Sequence, residues 1–222
     1  YQSIFHNCII QLSICTLICY IRFMNKKTSF LQALELTREF TTIKRSVGYR
    51  KHHRENDAEH SYQVAISCWV LNHDRKLGLS DEKILKMALV HDLVEVYAGD
   101  VDAHGASKKK HLNKKEQEQK ALKKIQTKFP ELTELTNMIT EYDKKDSKES
   151  KFVSIVDKIT PVHHVYHVGT TYYKDNKVTT ESWIEWLHKK TDYQNLPKDL
   201  KEIVDEITTR IQTEYKSLFY NS

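Results

Sequence analysis

Glycine and proline are scarce in this sequence: its 222 residues contain five of the first and three of the second. Both residues interrupt helices and mark turns, and the long segments between them carry apolar residues at helical rather than alternating spacing. Beyond Met24 only Cys68 remains of the four cysteines, which excludes an internal disulfide there and favours a reducing compartment. The sequence therefore predicts an all-α protein of the cytoplasm.

An excess of charge of one sign is also missing. Lysine and arginine number 35 against 30 acidic residues, which gives a formal charge of +5, with 12 histidines besides. This mild bias is compatible with an anionic small molecule and does not indicate nucleic-acid binding. Residues 108–124 are dense in lysine but contain no Phe, Tyr or Trp, so they predict a solvated helix or a mobile lid. We expect no nucleic-acid partner.

Residues 1–23 differ from the rest of the sequence, because positions 1 to 21 contain no Asp, Glu, Lys or Arg. A signal peptide requires a basic region ahead of its apolar core, which is missing here. Two interpretations remain: a membrane anchor flanked by Arg22, Lys26 and Lys27, and an upstream extension that precedes a start at Met24. We favour the extension. It predicts one folded domain over residues 24–222 and no contact with a membrane, and the length suffices for a substantial core.

The serines, prolines and glycines in the rest of the sequence predict where the helices begin and end. Serines can cap helix N-termini, prolines can occupy a first helical position, and glycine can close a helix. The basic stretch 44–55, which contains Gly48 and Tyr49, is expected to be a loop. The predicted helices are 29–43, 58–71, 81–99 after a Ser80 cap, 108–124, 130–142 with Pro130 at its start, one that follows Ser147, and 197–219 with Pro197 at its start.

The stretch MALVHDLVEVYAGD (residues 87–100) is the most informative part of the sequence. It places His91 and Asp92 side by side, Glu95 one turn later and Asp100 after a glycine, within an apolar run. On one helix of about 3.6 residues per turn, His91 and Glu95 share a face. Buried carboxylates are tolerated chiefly when they are paired or bound to a metal. Taken alone, the stretch also fits a satisfied core histidine beside a surface aspartate.

Two further helical segments place a metal-type ligand among apolar residues. They are AEHSYQVAI, which contains His60, and FVSIVDKI, which contains Asp157. Together with His91 and Asp92 they supply two imidazoles and two carboxylates from separate helices. A helical bundle uses sets of this kind to hold a catalytic divalent ion in its core. The combination, rather than any single residue, indicates a metal site.

Three motifs follow one another in a diagnostic order: ENDAEHSYQVA (55–65), HDLVEVYAGD (91–100) and EYDKKDSKESKFVSIVDKITPV (141–162). Through them the sequence resembles the HD-domain metal-dependent phosphohydrolases, and within these the 5′-deoxynucleotidase-like branch. The resemblance implies an all-α HD-type helical bundle with the metal site in its core, and a homodimer.

The resemblance also implies a role for each site residue. The expected ligands of one divalent metal ion, which could be Mn, Co, Mg, Fe or Zn, are His60, His91, Asp92 and Asp157. Glu95 is the expected catalytic acid or base, and Asp100 is expected to help orient water and substrate. The implied reaction releases phosphate from a nucleoside or deoxynucleoside 5′-monophosphate. Two alternatives remain: an HD phosphohydrolase for another nucleotide or phosphorylated metabolite, and a metal-containing nucleotide sensor without turnover.

The basic stretch before His60 is the expected substrate-binding segment. The family carries a tryptophan here that reads the sugar, whereas this sequence has Tyr49 at the nearest position, which leaves the preference for deoxyribose open. Tyr49 is expected either to pack against the sugar or to lie exposed. Arg50 and Arg54 are the candidates for phosphate binding, because guanidinium groups suit bidentate contacts. The three histidines at 163, 164 and 167 are expected to pack, since the ligand set is complete without them.

Overall fold

The structure, a computed structural model, describes residues 28–50, 53–105 and 108–221, without the side chains of residues 48–50, 53 and 108–112. The segment 1–23 that we expected to be an upstream extension lies outside the described residues. Ten α-helices and one two-stranded ribbon make up the described part: α1 Ser29–Phe40, β1 Lys44–Arg50, β2 His53–Asn56, α2 Asp57–Asp74, α3 Asp81–Val90, α4 Glu95–Ala98, α5 Lys108–Lys128, α6 Thr133–Lys144, α7 Lys148–Val168, α8 Tyr172–Asp175, α9 Thr180–Thr191 and α10 Lys198–Gln212, with 3₁₀ turns at Tyr193–Asn195 and Lys216–Leu218.

The predicted all-α class is confirmed, but the basic stretch 44–55 is not a loop. It forms an antiparallel ribbon in which Lys44 is paired with Asn56 and Arg50 with His53. The ribbon has its own anchor in the core, because the side chain of Val47 is buried. Strand formation depends on such tertiary contacts more than on the local sequence, which explains why the basic composition concealed it.

Helix α2 begins at a capping box. The side chain of Asn56 accepts a hydrogen bond of 2.9 Å from the backbone N–H of Glu59, and the carboxylate of Glu59 accepts one of 2.9 Å from the N–H of Asn56. This reciprocal pair satisfies two N–H groups that a helix start leaves without partners. The ribbon and the cap together fix the first turn of α2, which carries His60.

The stretch 87–100 is not the single helix that its periodicity predicts. Helix α3 ends at Val90, residues 91–94 form a turn, and α4 is a separate short helix that stops at Gly99, whose φ is 76°. Within the turn, the N–H of Glu95 donates 2.8 Å to the carbonyl of Asp92, a tight three-residue step. His91 and Asp92 therefore lie in a turn at the end of α3, and Glu95 opens the next helix.

The predicted caps agree with the structure better than the predicted proline starts. Ser80 and Ser147 accept hydrogen bonds from Lys83 and Ser150 at the starts of α3 and α7. Pro130, in contrast, lies in the turn before α6, which begins at Thr133, and Pro197 is the N-cap of α10. The last helix also ends at Gln212 rather than near residue 219.

Two clusters of buried apolar residues form the core, and the turn 91–94 lies where they meet. The first cluster includes Val64, Cys68, Met87, Ala88, Phe152 and Trp183. The second includes Leu36, Phe40, Leu93, Val94, Ile125 and Phe129. Since α3 belongs to one cluster and the residues after it to the other, the polar groups of the turn lie at the seam between them. Among the residues that the structure describes, none of the helices combines the length and apolarity needed to cross a lipid bilayer.

Candidate metal centre

The four predicted ligands come together at this seam. His60 is on the first turn of α2, His91 and Asp92 are in the turn after α3, and Asp157 is in the middle of α7. One ligand atom from each of the four lies within 4.8 Å of the others. His60 Nε2 is 3.0 Å from Asp157 Oδ1, while His91 Nε2 is 3.2 Å from Asp92 Oδ2 and 3.6 Å from Asp157 Oδ1. Three separate elements thus converge on one point.

The orientation of His91 suits a metal ligand. Its Nδ1 lies 2.8 Å from the carbonyl oxygen of Ala88, and a carbonyl only accepts hydrogen bonds, so this nitrogen carries the proton. In the neutral ring, Nε2 then turns a lone pair toward the carboxylates. This atom is buried and finds no hydrogen-bond partner among the described residues. Lone pairs and carboxylate oxygens that face one another repel unless a cation lies between them, so the donor set fits a divalent ion.

The electrostatics of the four groups favour positive charge at their centre. Burial opposes protonation of His91, but the charges of Asp92 and Asp157 outweigh it and raise its pKa to about 10. Burial, followed by the charge of Arg45, lowers the pKa of His60 to about 4, which leaves this ring neutral near pH 7. The pKa of Asp157 lies below its usual range despite burial, because Lys158 and the two imidazoles stabilise its charge. A proton or a divalent cation can supply the charge that the acids require.

Residues behind Asp157 fix its direction. The hydroxyl of Tyr142 on α6 donates a 2.6 Å hydrogen bond to Asp157 Oδ2, and the ammonium group of Lys158 contacts the same oxygen. With Oδ2 held from behind, Oδ1 is left facing His60 and His91. Supporting contacts of this kind orient metal ligands and tune their basicity. Neither Tyr142 nor Lys158 was singled out from the sequence.

Glu95 and Asp57 form a second acidic group that shares Asp92 with the first. One oxygen from each of these three residues lies within 4.8 Å of the others. Burial, followed by the charge of Asp92, raises the pKa of Glu95 well above its usual range and that of Asp57 to about 7. Lys114 Nζ lies 3.6 Å from Glu95 Oε1. Glu95, at 3% exposure, is thus a buried carboxyl beside the candidate metal centre, in an environment that stabilises its protonated form.

Arg45 is the basic residue that the ribbon turns toward these acids. Its Nη1 lies 3.0 Å from Asp92 Oδ2 and 3.3 Å from Asp57 Oδ1. The next residue, Ser46, donates its backbone N–H to Asp100 Oδ2 at 2.8 Å, which ties β1 to the segment after α4. Arg45 lies within the basic stretch 44–55, for which the sequence favours Arg50 and Arg54, since composition alone does not tell which face of the ribbon each side chain occupies.

Of the three predicted substrate residues, only Arg54 has a side chain that the structure describes. The side chains of Tyr49 and Arg50, at the end of β1, lie outside the described part of the structure. The Nε of Arg54 donates a hydrogen bond to the carbonyl of Arg45, across the ribbon. The three later histidines of α7 belong to neither of the two ligand groups found among the described residues. His163 instead contacts Tyr215 at 3.3 Å and stacks edge-on against His167.

A cleft opens beside the four ligands. The charged residues that line it are Asp92, Glu95, Asp100, Arg45, Lys114 and Lys158. The aromatic residues that line it are His104, Tyr173, Trp183 and Trp186. The sequence alone does not bring these residues together, because no spacing rule connects residue 104 with residues of α8 and α9. The arrangement can bind an anion beside a metal ion and a flat apolar group a short distance away.

Comparison with known proteins finds similar sequences and folds. A family model described as HD domain matches residues 38–210. The human protein 5′-deoxynucleotidase HDDC2 is 32% identical over 105 residues, and the match spans 46% of this chain and 49%, about half, of that protein. A predicted metal-dependent phosphohydrolase from Magnetospirillum magnetotacticum MS-1 has a TM-score of 0.69 at 22% identity, over 86% of this chain and 94% of its own. A conserved hypothetical protein from Pyrococcus furiosus has a TM-score of 0.59 at 30% identity, over 81% of this chain and 99% of its own.

The family match includes every element that contributes to the four-ligand cluster, from α2 to α7. It also covers well over half of the chain, and the solved structures share the helical fold over most of their length. The chain therefore belongs to the HD-domain family.

Proposed function

We propose that this protein hydrolyses the phosphate ester of nucleoside or deoxynucleoside 5′-monophosphates. The observation that carries the proposal is the cleft in which the buried two-histidine, two-aspartate cluster meets Arg45, Lys114 and Lys158. A cluster of this kind suits a hard or borderline divalent cation, and the cations beside it suit a phosphate dianion. The name of the human relative supports the choice of a nucleotide, through a match to about half of that protein.

The proposed ligands of the metal ion are His60, His91, Asp92 and Asp157. A divalent cation bound there would neutralise charge on a phosphoryl oxygen and lower the pKa of a coordinated water. The role of the protein is to hold the four donors at one point. Tyr142 and Lys158 contribute by orienting Asp157, and the carbonyl of Ala88 contributes by fixing the tautomer of His91.

Among the basic residues of the cleft, Arg45 is the main proposed phosphate-binding residue. A guanidinium group has five N–H donors, and the contacts of Nη1 with Asp57 and Asp92 leave others to bind phosphate oxygens. Lys114 and Lys158 line the same cleft and add positive charge. We assign Arg54 a positioning role, through its hydrogen bond to the carbonyl of Arg45. Tyr49 and Arg50 remain proposed contacts for the rest of the nucleotide.

Glu95 is the proposed general acid or base. Its buried carboxyl has a raised pKa, so it can hold a proton for the leaving oxygen or accept one from the attacking water. Asp100 is the proposed residue that orients water and substrate. Its contact with the N–H of Ser46 also holds β1, and therefore Arg45, beside the acidic cluster.

A phosphate-release assay tests this function. Ribonucleoside and deoxyribonucleoside 5′-monophosphates are incubated with protein loaded with Mn²⁺ or Co²⁺, with metal content measured in each sample. We expect release from at least one series, and a loss of about 10²- to 10⁴-fold in kcat for Glu95→Gln at unchanged metal content, the range typical of general acid–base catalysis. Release from none of the nucleotides by metal-loaded protein would overturn the proposal. An unchanged rate for Glu95→Gln would overturn the role of Glu95.

A further inference from the structure

Among the aromatic residues that line the cleft, one tryptophan differs from its neighbours in exposure. Trp183 and Tyr173 are 1% and 2% exposed, so they serve as core residues. Trp186, one turn after Trp183 on α9, packs on this core but is only partly buried, and it lines the cleft. Its ring centroid is 4.9 Å from that of His104 and 6.0 Å from that of Trp183. Trp186 therefore exposes part of its ring to the cleft, while the rest of the side chain packs against the core.

The segment that carries His104 is held in place by hydrogen bonds and ring contacts. The Oδ1 atom of Asp102 accepts hydrogen bonds from the backbone N–H groups of His104 at 3.0 Å and Gly105 at 2.8 Å, and from the hydroxyl of Tyr172. His104 is also in contact with the ring of Tyr173, with the centroids 5.7 Å apart. A surface fixed by such contacts loses little entropy when a planar ligand packs on it.

The other residues of the cleft decide what this surface can bind. Arg45, Lys114 and Lys158 line the same cleft as Trp186 and His104. A ligand that meets both sets of residues therefore carries an anionic group and a flat, apolar group. A nucleoside monophosphate has this construction, since every nucleobase offers a π face for stacking.

We propose that Trp186, together with His104, forms the stacking surface for the nucleobase of the substrate. The inference rests on the proposed function, because it takes the phosphate to lie among Arg45, Lys114 and Lys158. It adds a residue that selects nucleotides over sugar phosphates, which carry the same anionic group without a base. Stacking of a base on an aromatic side chain corresponds to about 5- to 150-fold in affinity.

The test compares two ligands that differ in the base alone, 2′-deoxyadenosine 5′-monophosphate and 2-deoxyribose 5-phosphate. Dissociation constants are measured by calorimetry on Mn²⁺-loaded protein that carries Glu95→Gln, so that hydrolysis does not consume the ligand. The variants on this background are Trp186→Leu, which removes the aromatic face, and Trp186→Phe, which keeps one. Trp69→Leu is the matched control, since Trp69 is a 46% exposed tryptophan of α2 that does not line the cleft.

We expect Trp186→Leu to weaken binding of the nucleotide by about 5- to 150-fold and binding of the sugar phosphate by less than about twofold. Trp186→Phe is expected to keep most of the affinity, and Trp69→Leu all of it. A second readout does not depend on the leucine variant folding: the nucleotide should quench tryptophan fluorescence in the Glu95→Gln parent and in Trp69→Phe, but much less in Trp186→Phe.

Several results would overturn the inference: equal weakening of both ligands by Trp186→Leu, no weakening of either, binding of neither ligand by the Glu95→Gln parent, or quenching that persists in Trp186→Phe. The proposed function fails separately, through the phosphate-release assay on the protein with Glu95 intact. Base-dependent binding without phosphate release would leave the stacking surface in place and remove the hydrolase.

Discussion

Tyr142 is expected to support the proposed metal site through its hydroxyl, without touching the ion. Its 2.6 Å hydrogen bond holds Asp157 Oδ2, while its ring packs 5.2 Å from that of His91, centroid to centroid. Tyr142→Phe keeps the ring and removes the donor. We expect Mn²⁺ affinity to fall by about 10- to 100-fold, the range seen when a residue behind a metal ligand is lost. Equilibrium dialysis with metal analysis measures the effect.

Another tyrosine–aspartate pair in this chain provides the control for that measurement. The hydroxyl of Tyr193 also donates 2.6 Å to an aspartate, Asp205, but this pair is exposed. Tyr193→Phe removes the same group and should leave Mn²⁺ affinity unchanged. If the two phenylalanine variants bind Mn²⁺ equally well, the hydroxyl of Tyr142 has no part in holding Asp157.

The four proposed ligands could be found from the sequence because each is a polar residue inside an apolar run. That contrast makes His60, His91 and Asp157 visible without a structure. Tyr142 and Trp186 carry no such contrast, since an aromatic residue on an amphipathic helix resembles any other core residue. Arg45 was hidden for a different reason: the orientation of the ribbon, not the composition of its strands, decides which arginine faces the acids.

The helices themselves were predicted better than the breaks between them. Ser80 and Ser147 were recognisable caps, whereas the turn 91–94 contains no glycine or proline and its residues suit a helix as well as a turn. Its conformation follows from tertiary contacts, because Met87 and Ala88 pack in one apolar cluster while Leu93 and Val94 pack in the other. The break lets His91 and Asp92 share the cluster with two residues from distant helices.

The start of α2 links the ribbon to His60 and allows a prediction about the helix as a unit. Asn56→Ala removes one half of the capping box and should lower the free energy of unfolding by about 0.5–2 kcal/mol. Because the frayed turn carries His60, we also expect weaker Mn²⁺ binding, by up to about fivefold for a cost of about 1 kcal/mol. Urea unfolding and metal titration of the same samples measure the two effects.

A second capping box at the start of α9, formed by Thr179 and Ser182, separates the two effects. Thr179→Ala should cost a similar free energy of unfolding, and it should leave Mn²⁺ affinity as it is, because α9 contributes none of the proposed ligands. Should Asn56→Ala lower stability while Mn²⁺ binding stays at the parent value, the cap would not be what holds His60 in place.

For the molecule as a whole, the proposed metal ion would join three elements that are far apart in sequence: α2, the turn after α3, and α7. A ligand that binds only the folded state at about 100 times its Kd stabilises it by about 2.7 kcal/mol. For a domain of about 150–250 residues, each kcal/mol shifts Tm by roughly 2–4 °C, so Mn²⁺ should raise Tm by about 5–11 °C and excess chelator should reverse the shift. Differential scanning fluorimetry with and without metal checks this.

Two histidine variants decide whether such a shift comes from the proposed centre. His60→Gln removes a ligand and should abolish the Mn²⁺-dependent shift, measured from the variant's own metal-free Tm. His73→Gln is the matched control, because His73 also pairs with an aspartate, Asp81, at 2.7 Å, but is 65% exposed at the end of α2. It should keep the full shift. A Tm that rises equally in both variants would place the stabilising ion elsewhere. Only an ion that His60 coordinates binds more weakly when that side chain is changed.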